Sequence, residues 1–463
     1  MPLLAASIAL ALAGCSAPQV KSTFEPAQKF ASAQPADTDP EVAWWETFGD
    51  PVLSDLIARA ARENRDIRIA TEHVRAARAG QTVSRSWLFP SIGVNAAGID
   101  QKSHYDEATR QLVPNAKVAS GGVDVSWEVD LSGRLRAGAK AAAADTMTAE
   151  DTERGVRLLV LTDVATNYFT LTGALRQLAT MRAISEAQDE TLRLVRARER
   201  AGLATAFDVE RAETDASRTR AAIPPLETLV SVSRHRIAVL TGDQAFNAAR
   251  IVPYDRDALV PPTRAGQPAD LLQRRPDILA ARSQLDAANA RRQQAAAEWF
   301  PRLFLGAMVG SQGVELNGAS LGATRFTNAA ALLAMPVFNA GRTQAINDIA
   351  ASGQSEALLR YEDTMVRALE DVENALVALD AERRREQDMQ SAARSADAAL
   401  GRARSLYSRG QVDLLPLLDA QRAQLSVKLA ANDSHTQLLL DSVQLFKALG
   451  GGWQAFEPVK EHS

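Results

Sequence analysis

Two stretches of the chain repeat one rhythm of apolar positions. Leu161, Val164, Tyr168, Leu171, Leu175 and Leu178 are separated by steps of 3, 4, 3, 4 and 3 residues. That heptad spacing makes a helix coil left-handedly around a neighbour. Leu369, Val372, Leu376 and Leu379 repeat the steps 208 residues on (161 to 369, 164 to 372, 168 to 376, 171 to 379). The pattern predicts long helices, the first over 143–201. Any two coiled coils share a heptad, so the rhythm alone does not establish a duplication.

Shorter elements precede each long helix. Asp50 is placed to cap a helix with Pro51 at its first position, and Leu53, Leu56, Ile57 and Ala60 give it an apolar stripe. The adjacent Trp44 and Trp45 read as core or interface filler. A second helix runs from Asp66 to about Ser86 and stops before Pro90, since proline cannot continue a helix. The period then changes from helical to two. Val123, Val125, Trp127 and Val129 alternate with Asp124, Ser126, Glu128 and Asp130. Strands are predicted near 91–99 and 118–131, joined by a polar loop over Lys102–Lys117. Alternation fits a hairpin on a soluble core, and it equally fits a barrel hairpin with apolar side chains in lipid and carboxylates in a lumen.

Four landmarks recur in the same order. Asp66-Ile67 returns as Asp277-Ile278 and Phe89-Pro90 as Phe300-Pro301, both 211 residues on. Gly133-Arg134 returns as Gly341-Arg342 and Gly202 as Gly410, both 208 on. The three-residue difference falls in the hairpin, where loop length is free to vary. Strands near 303–311 and 326–338, joined by a glycine-rich loop over Gln312–Thr324, complete the second copy. Each half therefore reads as helix, β-hairpin, long helix, glycine turn and return helix. Pro224-Pro225 must break the first return helix, whereas the second has Asn432-Asp433 there and is free to run on. A proline-bearing stretch from Asp243 to Ala269 joins the halves.

Composition narrows the class. By length the chain could hold about three ordinary domains, yet it is poor in aromatics and has one cysteine. That profile favours closely packed helices over a mixed enzyme core. A net charge of −4 offers no basic field for nucleic acid. The five histidines show no metal-ligand spacing, Gly450–Gly452 lacks the Lys-Ser/Thr of a phosphate loop, and most carboxylates lie beside arginines on helix faces. No catalytic residues, metal ligands or cofactors are expected.

The single cysteine is explained by the residues before it. Leu3–Gly14 is apolar or small, too short for a membrane span of ~20 residues but long enough for a signal-peptide core. It ends in Leu12-Ala13-Gly14-Cys15, which resembles a bacterial lipoprotein box, implying that Cys15 is acylated and becomes the first residue. Ser16, rather than Asp, fits onward export to the outer membrane. No Lys or Arg precedes the apolar run, which points to a true start further upstream. Ala17–Pro40 reads as an unpatterned tether, and no apolar helix of spanning length is expected after Cys15.

Several blocks together carry a family resemblance. They are Trp44-Trp45 with Asp50-Pro51, Trp127–Arg134, Leu271–Ile278 with its Arg-Arg-Pro-Asp-Ile core, and Pro336–Arg342. Leu418–Arg422 and Leu449-Gly450-Gly451-Gly452-Trp453 complete the set. From about Trp44 to Trp453, in order, the chain resembles the TolC-like outer-membrane factors, in particular the lipoprotein branch serving resistance-nodulation-division efflux pumps. The resemblance implies a mainly α fold with a membrane β-barrel portion. In it a homotrimer forms an α-helical periplasmic tunnel and a twelve-stranded barrel with four strands per protomer. It implies an exit duct of a tripartite efflux pump, passing small molecules from a periplasmic adaptor and an inner-membrane transporter to the exterior. Four strands cannot close a barrel alone, and an open edge in lipid leaves backbone groups unpaired. A helix of about 60 residues would reach ~90 Å.

The site is implied by the same resemblance. Hairpin tips at Gly202, Leu203, Ala204 and Thr205, and at Gly410, Gln411, Val412 and Asp413, are expected to meet the adaptor. Glycine at a reversal also serves backbone geometry alone. Leu415, Asp419 and Arg422 match positions that constrict the periplasmic end and share one helix face. Pro416 stands where some relatives carry a second aspartate, so one ring of charge is expected; an ordinary surface ion pair is the plain reading.

The expected organisation is a signal peptide at 1–14, a lipidated tether at 15–43, a first repeat at 44–243, a connector at 244–270, a second repeat at 271–450 and a tail at 451–463. The alternatives are a protein-secretion outlet and a non-transporting coiled-coil lipoprotein scaffold. The scaffold leaves the duplicated strand pairs unexplained.

Overall fold

The computed structural model describes residues 18–25, 29–32, 42–102, 104–106, 109, 115–243, 251–253, 258–262, 266 and 268–457. The expected signal-peptide core, the lipidation site Cys15 and most of the tether lie outside the described residues.

The repeat is written into the element boundaries. After a short 3-10 turn at Trp44–Phe48 come α1 (Pro51–Glu63), α2 (Arg65–Ser86), β1 (Ser91–Gln101), β2 (Ala116–Val129), α3 (Arg134–Arg200), α4 (Ala206–Ala221) and α5 (Ile223–Leu240). The second half contains α6 (Leu271–Arg274), α7 (Pro276–Ala296), β3 (Arg302–Leu316), β4 (Ala319–Ala334), α8 (Arg342–Ser408) and α9 (Leu414–Ala448). The long helices α3 and α8 each have 67 residues, and both start and end 208 residues apart. The helix predicted over 143–201 starts nine residues early, at Arg134. The return helix breaks at Ala222, where Pro224 and Pro225 occupy the first turn of α5, and α9 runs through unbroken.

The described residues fall into two compact units built from alternating stretches: those within 18–23, 73–150 and 280–362 in one, and those within 24–72, 151–279 and 363–457 in the other. The first unit holds an antiparallel sheet in the order β1-β2-β3-β4. Its register places Val94, Val123, Val309 and Thr327 in one cross-strand row, and Ile92, Val125, Ala307 and Ala329 in another on the same face. Val94, Ile92 and Val309 are 85, 74 and 57 % exposed, which leaves an apolar face without a cover among the described residues. The opposite face carries Asp124, to which Asn95 donates at 2.9 Å, and Ser126, hydrogen-bonded to Ser91. This face is locally crowded. A Cβ on Gly310 would lie 2.7 Å from the Phe326 ring and 2.5 Å from the Gly121 carbonyl oxygen.

Strand ends differ from the sequence expectation. The stretch read as a glycine-rich loop, 312–324, is mostly strand; β3 and β4 meet in a two-residue turn at Asn317 and Gly318, both with positive φ. An Asn-Gly pair with those angles is the hairpin turn whose twist matches its strands. Glycine content hid the strands: Gly313 lies within β3 and Gly322 within β4, and only Gly318 belongs to the turn. At the other end β4 stops at Ala334, leaving Met335, Val337 and Phe338 exposed, and β2 stops at Val129.

The described part of the tether is also more than a linker. Asn289 exchanges two 3.1 Å hydrogen bonds with the backbone of Val20, and Gln354 donates to the Pro18 carbonyl at 3.0 Å. Such a strap has no periodicity because its backbone is satisfied by other elements' side chains.

The second unit is organised around Trp44, which is fully buried and stacks on Phe446 at 5.2 Å. Phe48 meets Phe169 at 4.8 Å. Asp50 caps α1 by accepting from the Val52 and Leu53 amides, and its other oxygen accepts from the Tyr168 hydroxyl at 2.7 Å. The predicted stripe of Leu53, Leu56, Ile57 and Ala60 is buried, as are the heptad residues Leu161, Val164, Tyr168 and Leu171. Against expectation, α3 contains a segment that passes for a membrane span by length and composition, although most of it is buried in the fold. Its apolarity comes from packing on several sides. The described parts of the connector and tail join the same unit: Leu259 donates to the Phe48 carbonyl, and Phe456 stacks on Trp45 at 5.5 Å.

Two motif blocks far apart in sequence form one joint here. Arg275 donates to the Ala448 carbonyl at 3.1 Å and to Asp277 and Asp371 at 2.7–3.0 Å. Trp453 Nε1 donates to the carbonyls of Gly450 and Arg274, each at 3.0 Å. A Cβ on Gly450 would fall 2.8 Å from the Arg275 Cα, so the glycine is required by close approach. Burial lowers the pKa of Arg275, but hydrogen bonds and charge from Asp277 and Asp371 outweigh it and leave a net upward shift.

Candidate functional site

Both reversals between long and return helices are built identically. At the first, Gly202 (φ +75°) donates to the Glu199 carbonyl and Leu203 to that of Arg198, each at 2.8 Å. At the second, Gly410 (φ +71°) donates to Tyr407 at 3.0 Å and Gln411 to Leu406 at 2.9 Å. These are Schellman stops, in which a left-handed residue lets the chain turn back while satisfying the last carbonyls.

The return helices start differently. Thr205 and Asp208 form a reciprocal capping box: the Asp208 amide donates to Thr205 Oγ1 at 3.2 Å, and the Thr205 amide to the Asp208 carboxylate at 3.0 Å. The Thr205 amide, then its hydroxyl, hold the Asp208 carboxyl below the usual carboxylate range, with Arg211 adding to the shift. Asp413 occupies the same capping position on α9 but makes no side-chain cap bond.

Beneath the turns lies a small apolar cluster of Leu192, Val195, Tyr407, Leu414, Leu417 and Leu418. Arg198 lies 4.6 Å over the Tyr407 ring. Ala204 and Val412 pack against this cluster, so of the eight predicted tip residues these two serve packing. Gly202, Leu203, Thr205, Gly410, Gln411 and Asp413 are exposed, Leu203 by 70 %. Phe207, absent from the sequence reading, is exposed by 62 % beside them, with Arg211 5.4 Å from its ring.

The three predicted constriction residues share one exposed face of α9, with Leu415 44 % exposed. Arg422 lies 3.6 Å from Asp419, three residues apart in sequence. Its closer partner is Asp215 on α4, reached at 2.9 Å by Nη2, and that carboxylate is nearly buried. Sequence reading missed Asp215 because nothing in spacing pairs it with a residue 207 positions away. Beside it Gln421, buried, donates to Thr191 on α3 at 2.8 Å. The duplication adds another point: Phe207 and Arg211 occupy on α4 the places of Leu415 and Asp419 on α9, each 208 residues earlier. Each return helix thus presents an apolar residue in its first turn and a charge one turn on, the charges being opposite in sign. Among the described residues no three His, Cys, Asp or Glu side chains gather as a metal site would require.

A family model described as outer membrane efflux protein matches residues 56–243 and 268–451, the two repeats with the connector omitted. The chain belongs to the outer membrane efflux protein family. It is an efflux channel component of the outer membrane. Outer membrane protein OprJ of Pseudomonas aeruginosa is 32 % identical to this efflux protein over 459 residues, covering 96 % of this chain and 95 % of the relative. Probable outer membrane lipoprotein SilC of Salmonella typhimurium is 28 % identical over 468 residues, covering 98 % and 99 %. Among solved structures, the outer-membrane channel OprN superposes with a TM-score of 0.86 at 29 % identity, covering 94 % of this chain and 99 % of that one.

Proposed function

We propose that three copies of this chain form the exit duct of a tripartite efflux pump, anchored by acylated Cys15 and carrying small molecules without a catalytic step. The observation that supports this most is the sheet. β1 and β4 each have one unpaired edge in the single chain, and one sheet face is apolar and open. In lipid such edges must be closed, and three four-stranded sheets make a barrel of twelve. The exposed tip residues Leu203, Thr205, Gln411 and Asp413, with the two glycines, suit a periplasmic adaptor docking end-on. An inner-membrane transporter of the resistance-nodulation-division class would load the duct. Leu415, Asp419 and Arg422 form the constriction in this reading, with Arg422 tying α9 to α4. Image averaging of detergent-solubilised particles tests the assembly. A three-fold tube with a short barrel at one end is expected, and single-chain particles would overturn it. Metabolic labelling with palmitate should mark Cys15; an unlabelled wild type would remove the anchor.

A further inference from the structure

All four strands join helices at one end of the sheet, and both hairpin connections lie at the other. In an outer-membrane duct with its helices in the periplasm, the connections face the exterior. Along β4 the apolar face carries Leu333, Ala331, Ala329 and Thr327, and then Arg325. From residue 333 to residue 325 the strand advances ~27 Å, or ~20 Å of depth at a tilt of ~35–45°. That brings Arg325 to the outer edge of an apolar band ~25 Å tall, where arginine is tolerated, whereas at the midplane it is costly.

Arg325 is exposed and, among the described residues, has no ion-pair or hydrogen-bond partner. Its cross-strand row holds Ser311, Gly121 and Ala96, and the next row outward holds Ala323, Gly313, Ala119 and Gly98. Side chains this small leave room beside the guanidinium, and the second row lines a groove of about 590 Å³ that also takes in Lys117 and Glu315. Lys117 stands on the same face, its side chain 58 % exposed, with Glu315 3.9 Å away. Its ladder partner Asp100 lies 3.9 Å from Lys102. Pairs this loose and exposed hold little, so Lys117 stays available.

The two cations are related by the duplication. Lys117 and Arg325 are 208 residues apart, the offset that relates Gly133 to Gly341. Each repeat thus sets one cation at one position of its outward face. In the ladder Arg325 faces Ser311, four residues along β3 from Glu315, which faces Lys117. Strand tilt displaces equivalent positions of successive hairpins along the ladder in this way and returns them to nearly one depth. We propose that Lys117 and Arg325 form a phosphate-binding belt for a phosphorylated glycolipid of the outer leaflet. This rests on the three-copy duct, in which the belt closes around the barrel. The apolar rows meet acyl chains, the groove of small residues takes the sugar, and the cations meet its phosphates. Arginine's planar fork suits two phosphate oxygens at once, whereas lysine acts as a point charge. Asp100 and Glu315 repel a phosphate beside Lys117, which makes Arg325 the stronger of the two.

The test is native mass spectrometry of the full-length protein, purified in lipid-free detergent. It is titrated with bisphosphorylated lipid A, with the same lipid stripped of phosphate, and with phosphatidylglycerol. The wild type should bind the first about tenfold more tightly than either of the others. Arg325→Gln should weaken lipid A binding about tenfold and Lys117→Gln by less, while Arg325→Lys with Lys117→Arg should keep most of it. Equal binding of the stripped lipid by the wild type overturns the belt. Equal binding of phosphatidylglycerol overturns the outer-leaflet assignment, because any lipid phosphate would then suffice. Unchanged lipid A binding in Arg325→Gln with Lys117→Gln, in particles that image as three-fold, removes the belt while the duct stands. Single-chain particles overturn both readings. The comparison of lipids on the wild type needs no variant, so it decides the matter even where a variant fails to assemble.

Discussion

Arg422 on α9 holds Asp215 on α4 through both carboxylate oxygens: Nε donates at 3.2 and 3.0 Å, and Nη2 at 3.1 Å. The carboxylate is almost fully buried while the guanidinium is 45 % exposed, so the pair is a latch between two helices with one face to solvent. Arg422→Ala strands a buried acceptor and should cost about 1–3 kcal/mol, because an unmade bond to a buried charged group exceeds the net worth of a made one. Asp215→Asn with Arg422→Ala should recover part of that loss. Additive losses in a thermal-unfolding double-mutant cycle would reduce the latch to an ordinary surface contact.

Asp419 is left facing solvent by that arrangement, with its side chain 61 % exposed. Three copies around an axis would concentrate negative charge, and low-dielectric walls would focus the field. Asp419→Ala should therefore weaken cation preference in planar-bilayer single-channel recordings, while Leu415→Ala should raise conductance without altering preference. Arg211, in the equivalent place on α4, opposes Asp419, so Arg211→Ala should strengthen cation preference. Wild-type selectivity in both charge variants would exclude these residues from the ion path.

The sheet predicts opposite fates for neighbouring substitutions. Val125 shares its face with exposed Ile92 and Val94, whereas Ser126 lies on the face of Asp124. Val125→Arg puts charge into lipid and should cost ~2–4 kcal/mol near the midplane; Ser126→Arg should be tolerated. Equal yields of the two variants in outer-membrane fractions would argue that this face does not meet lipid.

At the first tip the capping box should depend on pH. The Asp208 pKa is lowered in the folded chain, so its contribution is present above the unfolded value and is lost as pH falls through the lowered one. Protection of the Asp208 amide, taken relative to its intrinsic exchange rate at each pH, should fall on acidification, and Thr205→Ala should cost ~1 kcal/mol at neutral pH. The first turn of α9, without a side-chain cap, is the internal reference. No difference between the two helices across the titration would dismiss the box as a stabilising device.

The sequence by itself determined whatever depends on local period and chain punctuation. The heptad at Leu161 to Leu178, the Asp50 cap, the Pro224-Pro225 break and the 208-residue repeat all arise from residues within a few turns of each other, or from identity at a fixed offset. It also marked the blocks around Arg275 and Gly450 without showing that they touch. Only the tertiary structure decided partners across the fold: Asp215 for Arg422, Tyr168 for Asp50, Asn289 for the strap at Val20. It also turned the supposed glycine loop at 312–324 into strand and separated the packed tip residues Ala204 and Val412 from the exposed ones. The physical reason is that periodicity records which face of an element is apolar, whereas ion pairs and close approaches depend on which faces meet. That choice is made by packing between segments hundreds of residues apart.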